Sequence, residues 1–389
     1  MIKDIAILPQ WNSRGEKTIK VWIKTADGTY FSLAPTGKSR GRWESSTIEV
    51  DKLPKPFAQV KRALIGKEEG DFRGIDALLE GMGGRMMEGI GANLAIAVSE
   101  AVIRAASKNN VFKLLNPTAR FVPFPMGNVA GGGAHGGGTD IQEFLVIPRG
   151  VKDIEEAIMT NFEMWKDVGN ALESQGRNDE GAWVSYKTDL KTLDIVCDVA
   201  NNYNASVGID MAASQFYIKG KYVYTKMDRN MDPGDQLDFV KDLIKNYGLV
   251  YVEDPFHEND IDNFAELTRK VNCIICGDDI YGSQLFRLNE GAEKKASNAI
   301  LLKPDQAGTV SRVLDIAKVA KANAMQCIVS HRSGETTDSF IADLAVGIEA
   351  PLIKCGITGG ERVAKLNRLM EIWANIAGWR TPRMAELKI

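Results

Sequence analysis

Leu249-Val250-Tyr251-Val252-Glu253 is a short apolar run that stops on a carboxylate. Four apolar residues in a row, closed by Glu253 and then by Asp254-Pro255, read as a buried strand with an ionisable last side chain. The same figure recurs on either side. Val207-Gly208-Ile209 stops on Asp210, Cys273 to Gly277 on Asp278 and Ala299 to Leu302 on Lys303, while Cys327 to Ser330 stops on His331 and Pro351 to Ile353 on Lys354. From Glu253 onward the terminal residues return every 23 to 28 positions, the length of one strand-helix unit in a TIM-type barrel. Helical patterns such as Val310 to Ala322 fill the gaps. The expectation is an α/β chain whose residues 121–389 form a (β/α)8-like barrel. Strand carboxyl ends meet on one face of such a barrel, so six ionisable residues in phase are expected to share one mouth. Solvated surface charges have no reason to keep that phase.

Upstream, the chain changes character. Thr18 to Thr25 and Thr29 to Ala34 alternate like strands and flank Ala26-Asp27-Gly28, a hairpin turn. A glycine-rich loop, Thr36-Gly37-Lys38-Ser39-Arg40-Gly41, has the small residues of a mobile flap, and Asn93 to Ser107 reads as a helix apolar on most faces. Residues 1–120 are thus expected to form a smaller α+β capping domain, and the length of 389 residues suits two domains. A net charge of −3 with no basic block gives no reason to expect a nucleic-acid partner. Without a leader-like start or a membrane-length apolar stretch, the expectation is a cytoplasmic protein with no membrane partner. Five scattered cysteines argue against a disulfide framework. Cys273 and Cys276 form a CxxC, but on a strand they point to opposite faces and cannot share a metal.

Asp210, Glu253 and Asp278 offer hard oxygen ligands with no thiol or imidazole among them, which suits Mg²⁺. Lys303 and Lys354 are expected near that metal, where positive charge lowers a lysine's pKa and helps one act as a neutral base. A base beside a metal able to bind a carboxylate points to removal of the α-proton, the charge spreading onto metal-bound oxygens.

At this point a family resemblance is carried by specific residues. Ser330-His331-Arg332-Ser333-Gly334-Glu335, continuing through Asp338, Phe340 and Ile341-Ala342-Asp343-Leu344, resembles the signature segment of enolases. Val252-Glu253-Asp254-Pro255-Phe256 and Gly208-Ile209-Asp210-Met211-Ala212-Ala213-Ser214 resemble enolase metal-ligand strands, and Gly91-Ala92-Asn93, Gly277-Asp278-Asp279 and Leu301-Leu302-Lys303 match too. The similarity runs in order over nearly the whole chain, as in a short, archaeal-like member of the family. It implies the enolase variant of the barrel and a lyase (phosphopyruvate hydratase) that dehydrates 2-phospho-D-glycerate to phosphoenolpyruvate in glycolysis and gluconeogenesis. It also implies two Mg²⁺ sites, the second filled with substrate, and a homodimer or higher homo-oligomer.

Position by position, the resemblance implies that Asp210, Glu253 and Asp278 hold the first Mg²⁺ and that Lys303 takes the C2 proton. Glu180, in Asn178-Asp179-Glu180-Gly181, would protonate the departing 3-hydroxyl, with Glu143 and His135 flanking it. Lys354 would meet the substrate carboxylate, and Arg332 and Ser333 would grip the phosphate, with His331 also lining the substrate. Ser39 would close over the site and help hold the second Mg²⁺. Asn12-Ser13-Arg14-Gly15 resembles the amino-terminal enolase motif, whose arginine is associated with the dimer contact.

The chain also departs from the family pattern. Lys38 and Arg40 add charge to the flap, Asp305 stands where Asn is common, and Cys355 to Gly360 is one residue short and lacks an arginine. The linker from flap to Gly91 is short, and the aromatic-ending tail is absent. Two other readings remain beside the first: a paralogue running the same proton abstraction on a different phosphorylated or phosphonate carboxylate, and a non-catalytic scaffold.

Overall fold

The computed structural model describes residues 1–38 and 41–389. Ser39 and Arg40, and with them the expected contact of Ser39 with a second Mg²⁺, lie outside the described residues.

The chain opens with three antiparallel strands, β1 (Asp4–Trp11), β2 (Lys17–Lys24) and β3 (Thr29–Leu33). β1 and β2 run in register from Asp4↔Lys24 to Trp11↔Lys17, and β2 meets β3 from Lys20↔Leu33 to Lys24↔Thr29. Alternation decides the faces: Ile19, Val21 and Ile23 are buried while Lys20, Trp22 and Lys24 turn outward. The buried face packs on a helix over Ala92–Ser107. That helix is apolar nearly all round because it is enclosed all round, with sheet on one side and further helices on the others.

The stretch before it is more than a linker. It forms α1 (Pro54–Leu64), with Pro54 in the first turn, and α2 (Phe72–Gly83), whose first turn is capped by Asp71 accepting from the Gly74 N–H; the Ala92–Ser107 helix is then α3. Three glycines inside α2 blur its periodicity, so the sequence alone hides it.

The second unit is a closed eight-stranded barrel. Its elements run β4 (Phe124–Gly131), β5 (Glu143–Ile147), α4 (Ile154–Leu172), α5 (Asp189–Asn202), β6 (Ser206–Asp210), α6 (Pro233–Tyr247) and β7 (Tyr251–Glu253). They continue with α7 (Ile261–Lys270), β8 (Ile274–Gly277), α8 (Leu285–Lys294), β9 (Ala299–Leu302), α9 (Val310–Ala322), β10 (Gln326–Ser330), α10 (Phe340–Gly347), β11 (Leu352–Lys354) and α11 (Gly360–Ala377). Neighbours pair in chain order, and β11 returns to β4 to close the ring. The strict alternation of a (β/α)8 barrel is broken once, at its start. β5 follows β4 without a crossover helix and runs antiparallel to both β4 and β6.

Period-two alternation then aims the mouth. Tyr251, Ile274, Cys276, Ala299, Leu301, Ile328 and Leu352 fill the barrel interior, while Val252, Ile275, Ile300, Leu302, Val329 and Ile353 face the helices. Glu253, Asp278, Lys303 and Lys354 keep the parity of the inward set. Gly208 is required for packing here: a Cβ on it would sit 2.8 Å from Cβ of Tyr251, whose ring fills that space. Cys273 belongs to the outer layer and Cys276 to the interior, so the CxxC sulfurs do face opposite sides.

Candidate active site

Asp210 and Glu253 are paired across β6 and β7, and Asp278 follows the end of β8. The ammonium of Lys354 stands among carboxylates: its Nζ is 2.9 Å from Asp210 Oδ2, 2.9 Å from Glu253 Oε2 and 3.1 Å from Glu143 Oε2, all four residues being buried. Burial opposes that charge, but Asp210 and Glu143 outweigh it and hold the Lys354 pKa well above the ordinary lysine range. Burial and the neighbouring Asp210 push Glu253 up to about 8, and the Tyr251 hydroxyl donates to its Oε2. Lys303 donates to Asp278 Oδ2. The expected depression of the lysine pKa is therefore not what this arrangement shows: burial does work against the ammonium, yet Asp278 more than offsets it and the pKa is raised.

Among the described residues, two sets of three side chains bring ligand atoms within 4.8 Å of one another. One is His135, Glu143 and Glu180, the other Asp254, Asp278 and Asp279. Asp210, Glu253 and Asp278 share the rim without forming such a set; Lys354 pairs with the first two and Lys303 with the third. Asp254 and Asp279 stand in the quoted motifs but had no role assigned to them. Asp254 accepts from the backbone N–H groups of Asp278 at 2.9 Å and Asp279 at 2.7 Å, which orders the turn after β8. These donors are all hard oxygens, and their charge is met in part by two ammonium groups. The residues therefore fit a divalent cation.

The opposite side of the mouth is built differently. Because β5 is reversed, its first residue, Glu143, lies at the rim opposite Asp210. Glu180 is carried by a turn in which Asn178 Oδ1 accepts from the backbone N–H groups of Glu180 and Ala182, both at 3.0 Å. His135, in the glycine-rich turn after β4, directs Nδ1 to Asp179 Oδ1 at 2.9 Å and Nε2 to Glu143 and Glu180 at 3.7 and 3.6 Å. Its pKa is raised: burial is unfavourable, but Glu180 and Asp179 outweigh it. Of the two glutamates, burial and the charge of Glu180 push Glu143 well up. Glu180 is held well down, since His135 overcomes the cost of its burial. The same buried cluster therefore favours the neutral acid at Glu143 and the carboxylate at Glu180.

His331 is 2% exposed and its Nε2 has no hydrogen-bond partner, the nearest carboxylate being Glu180 Oε1 at 3.7 Å. Asp179, missed as a functional residue, also receives Arg14 Nη1 at 3.0 Å. Arg14, expected at a dimer contact, is thus tied to its own chain's mouth.

Arg332 is clamped. Nη1 donates to Asp305 Oδ2 and Nη2 to Glu44 Oε2, each at 2.8 Å. Ser333 Oγ accepts from the flap's Lys38 N–H at 3.0 Å, and Thr36 and Gly334 exchange backbone hydrogen bonds. Only glycine fits at position 37, where a Cβ would lie 1.7 Å from Arg332 Nη2. With the described part of the flap docked, the free space in the mouth is about 30 Å³, room for one or two waters.

Two family models match the chain, one for each unit. Residues 119–381 match the model described as enolase, C-terminal TIM barrel domain, and residues 2–116 match enolase, N-terminal domain. The chain belongs to the enolase family. Curated relatives named enolase include one from Methanothermobacter thermautotrophicus, 38% identical over 100% of this chain and 99% of its own. Another, from Methanosphaera stadtmanae, is 38% identical with the same coverage, and one from Archaeoglobus fulgidus is 36% identical over 96% of this chain and 97% of its own. Enolase membership bears out the barrel with its smaller amino-terminal unit and the lyase class. No helix is long and apolar enough to cross a membrane among the described residues.

Proposed function

We propose that this chain catalyses Mg²⁺-dependent dehydration of 2-phospho-D-glycerate to phosphoenolpyruvate, with Lys303 as base and the Glu143–Glu180 pair as acid. The observation that supports it best is the division of the mouth: a buried lysine among carboxylates on one side, and on the other two buried glutamates around one histidine.

Asp210, Glu253 and Asp278 would hold Mg²⁺, whose charge would replace what those carboxylates now take from Lys303 and Lys354, and a second Mg²⁺ would arrive with the substrate. If a metal ion took Asp278 as a ligand, burial together with the nearby Arg332 and Lys354 would favour Lys303 as the neutral amine that can accept the C2 proton. Lys354, which now bonds Asp210, Glu253 and Glu143, would meet the substrate carboxylate. Arg332, Ser333 and Lys38 form the cationic end for phosphate, and an arginine fork suits that anion. Departure of the 3-hydroxyl as water needs a proton. Glu180 would deliver it, flanked by His135 and by Glu143, whose carboxyl keeps a proton more readily and could pass one on. His331 points Nε2 towards the same place.

The division at residue 120 into capping unit and catalytic barrel, a cytoplasmic location and self-association belong to this proposal. Leu8, Trp22 and Phe31 stand exposed on the outer face of the β1–β3 sheet, with Trp22 opposite Phe31 in register, an apolar surface suited to a second copy.

The direct test gives purified protein 2-phosphoglycerate with Mg²⁺ and then with a chelator, and follows phosphoenolpyruvate. Turnover that needs the metal is expected. No turnover by folded, metal-loaded protein would overturn the proposal. The second reading, a different phosphorylated or phosphonate carboxylate, draws on Asp305, whose charge partly cancels that of Arg332. A better rate on such a substrate than on 2-phosphoglycerate would favour it.

A further inference from the structure

Arg362 is among the largest fully buried side chains of the described residues, and it had no part in the motifs read from the sequence. It lies in the first turn of α11, outside the barrel wall, and does not line the mouth. A guanidinium in that position needs strong partners, because an unpaired buried charge costs several kcal/mol. Its Nε lies 3.5 Å from Glu361 Oε1 without a hydrogen bond, and the partners of its two Nη atoms all belong to the segments that build the site. Nη1 donates to His331 Nδ1 at 2.7 Å and to the Arg332 carbonyl at 2.6 Å; Nη2 donates to the Ser333 carbonyl at 2.7 Å and the Asp179 carbonyl at 3.3 Å. One rigid fork therefore joins the segment after β10 to the loop that carries Glu180.

The contact with His331 has a chemical consequence. Arginine can only donate, so His331 Nδ1 must accept. The neutral ring then carries its proton on Nε2, the buried, unpartnered nitrogen that faces Glu180 Oε1 at 3.7 Å. Without that constraint either tautomer is open to the ring, and the other one presents a lone pair, not an N–H, to the substrate.

We propose that Arg362 is a positioning residue for the reaction: it commits His331 to the Nε2–H tautomer and holds His331, Arg332, Ser333 and the Glu180 loop in one frame. The kinetic part rests on the proposed dehydration of 2-phosphoglycerate; the tautomer does not. Lysine is not an equivalent replacement, since one ammonium cannot span four acceptors in two loops.

The test uses full-length protein with ¹⁵N-labelled histidine. Only three histidines are present, and His331→Asn identifies the signals of His331. In the wild type without substrate, His331 is expected to show an unprotonated, hydrogen-bonded Nδ1 and a protonated Nε2 throughout neutral pH. In Arg362→Lys that pattern should give way to a mixture of tautomers, and kcat on 2-phosphoglycerate should fall about 100-fold with KM changed less than about fivefold. Because Arg362 acts through His331, Arg362→Lys placed on His331→Asn should cost clearly less than it costs alone. Arg362→Met should be more severe in each respect; if it does not fold, the lysine variant decides. A wild-type His331 protonated on Nδ1, or Arg362→Lys with unchanged nitrogen signals, overturns the inference even if the enzyme is active. Additive kinetic losses in the double variant overturn it as well. A protein that shows the expected nitrogen signals but no turnover would instead count against the proposed reaction.

Discussion

The two sides of the mouth hold comparable numbers of charged groups but stabilise them by different means. On the strand-end side, Asp210, Glu253 and Glu143 converge on one ammonium, Lys354, and Asp278 takes a second from Lys303. On the other side, His135 lies between Glu180 and Glu143, and their polar support comes from loops through Asp179, Asn178 and Arg362. The first arrangement suits exchange of an ammonium for a metal ion. The second suits movement of a proton. Each side can therefore be disabled separately, and the losses should differ in kind.

The largest expected effect falls on chemistry. Lys303→Ala should lower turnover of 2-phosphoglycerate by about 10⁴-fold and abolish exchange of the C2 proton with solvent, because it removes the base. Glu180→Gln should lower dehydration by about 10²- to 10⁴-fold while C2 exchange continues. Proton exchange followed by NMR alongside product formation separates the two. Exchange that survives Lys303→Ala, or vanishes in Glu180→Gln, would remove the assignment of base to one side and acid to the other.

A smaller effect concerns stability. Lys354→Met leaves three buried carboxylates without their shared cation and should cost about 3–5 kcal/mol in denaturant unfolding with a chelator present. Excess Mg²⁺ should recover part of that, since it binds the folded state alone. His135→Gln, which keeps a donor near Asp179, should cost about 1–2 kcal/mol and respond little to Mg²⁺. Equal losses and equal rescue by Mg²⁺ would erase the contrast between the sides.

The same contrast explains what was legible in the sequence. Glu253, Asp278, Lys303 and Lys354 could be read from residue order alone, because a parallel strand in a barrel ends at the mouth and its length recurs. Glu143 obeys the opposite rule. Its strand is reversed, so the residue that reaches the mouth comes first, and a search for apolar runs that stop on a charge passes over it. Glu180 and His135 belong to turns whose shape depends on Asn178 and on glycines, and they became visible only through the family resemblance. Asp179 and Arg362 escaped both routes, since they act through other side chains and leave no periodic trace. The charge states were the least legible. Lys303 was expected to be neutral, but the sequence could not show that Asp278 would take it as a partner.

The smallest expected effect tests the phosphate end, where both means of stabilisation meet at Arg332. Asp305 sits against its Nη1, and burial, aided by Glu44, pushes the Asp305 carboxyl up to about 6 even beside that guanidinium. Above that pH the carboxylate competes with a phosphate for Arg332; below it the neutral acid does not. Asp305→Asn removes the competitor at every pH. At pH 7.5 the variant should therefore have a KM for 2-phosphoglycerate about three- to tenfold lower than the wild type, a difference on the order of 1 kcal/mol. The phosphate also gains a proton near pH 6, which weakens binding in both proteins alike. The informative quantity is then the ratio of the two KM values. It should fall towards one as pH drops from about 7.5 to 5, because only the wild type gains a neutral side chain at position 305. A ratio that stays constant would mean that Asp305 does not govern the grip of Arg332, and would leave Glu44 as the partner that does.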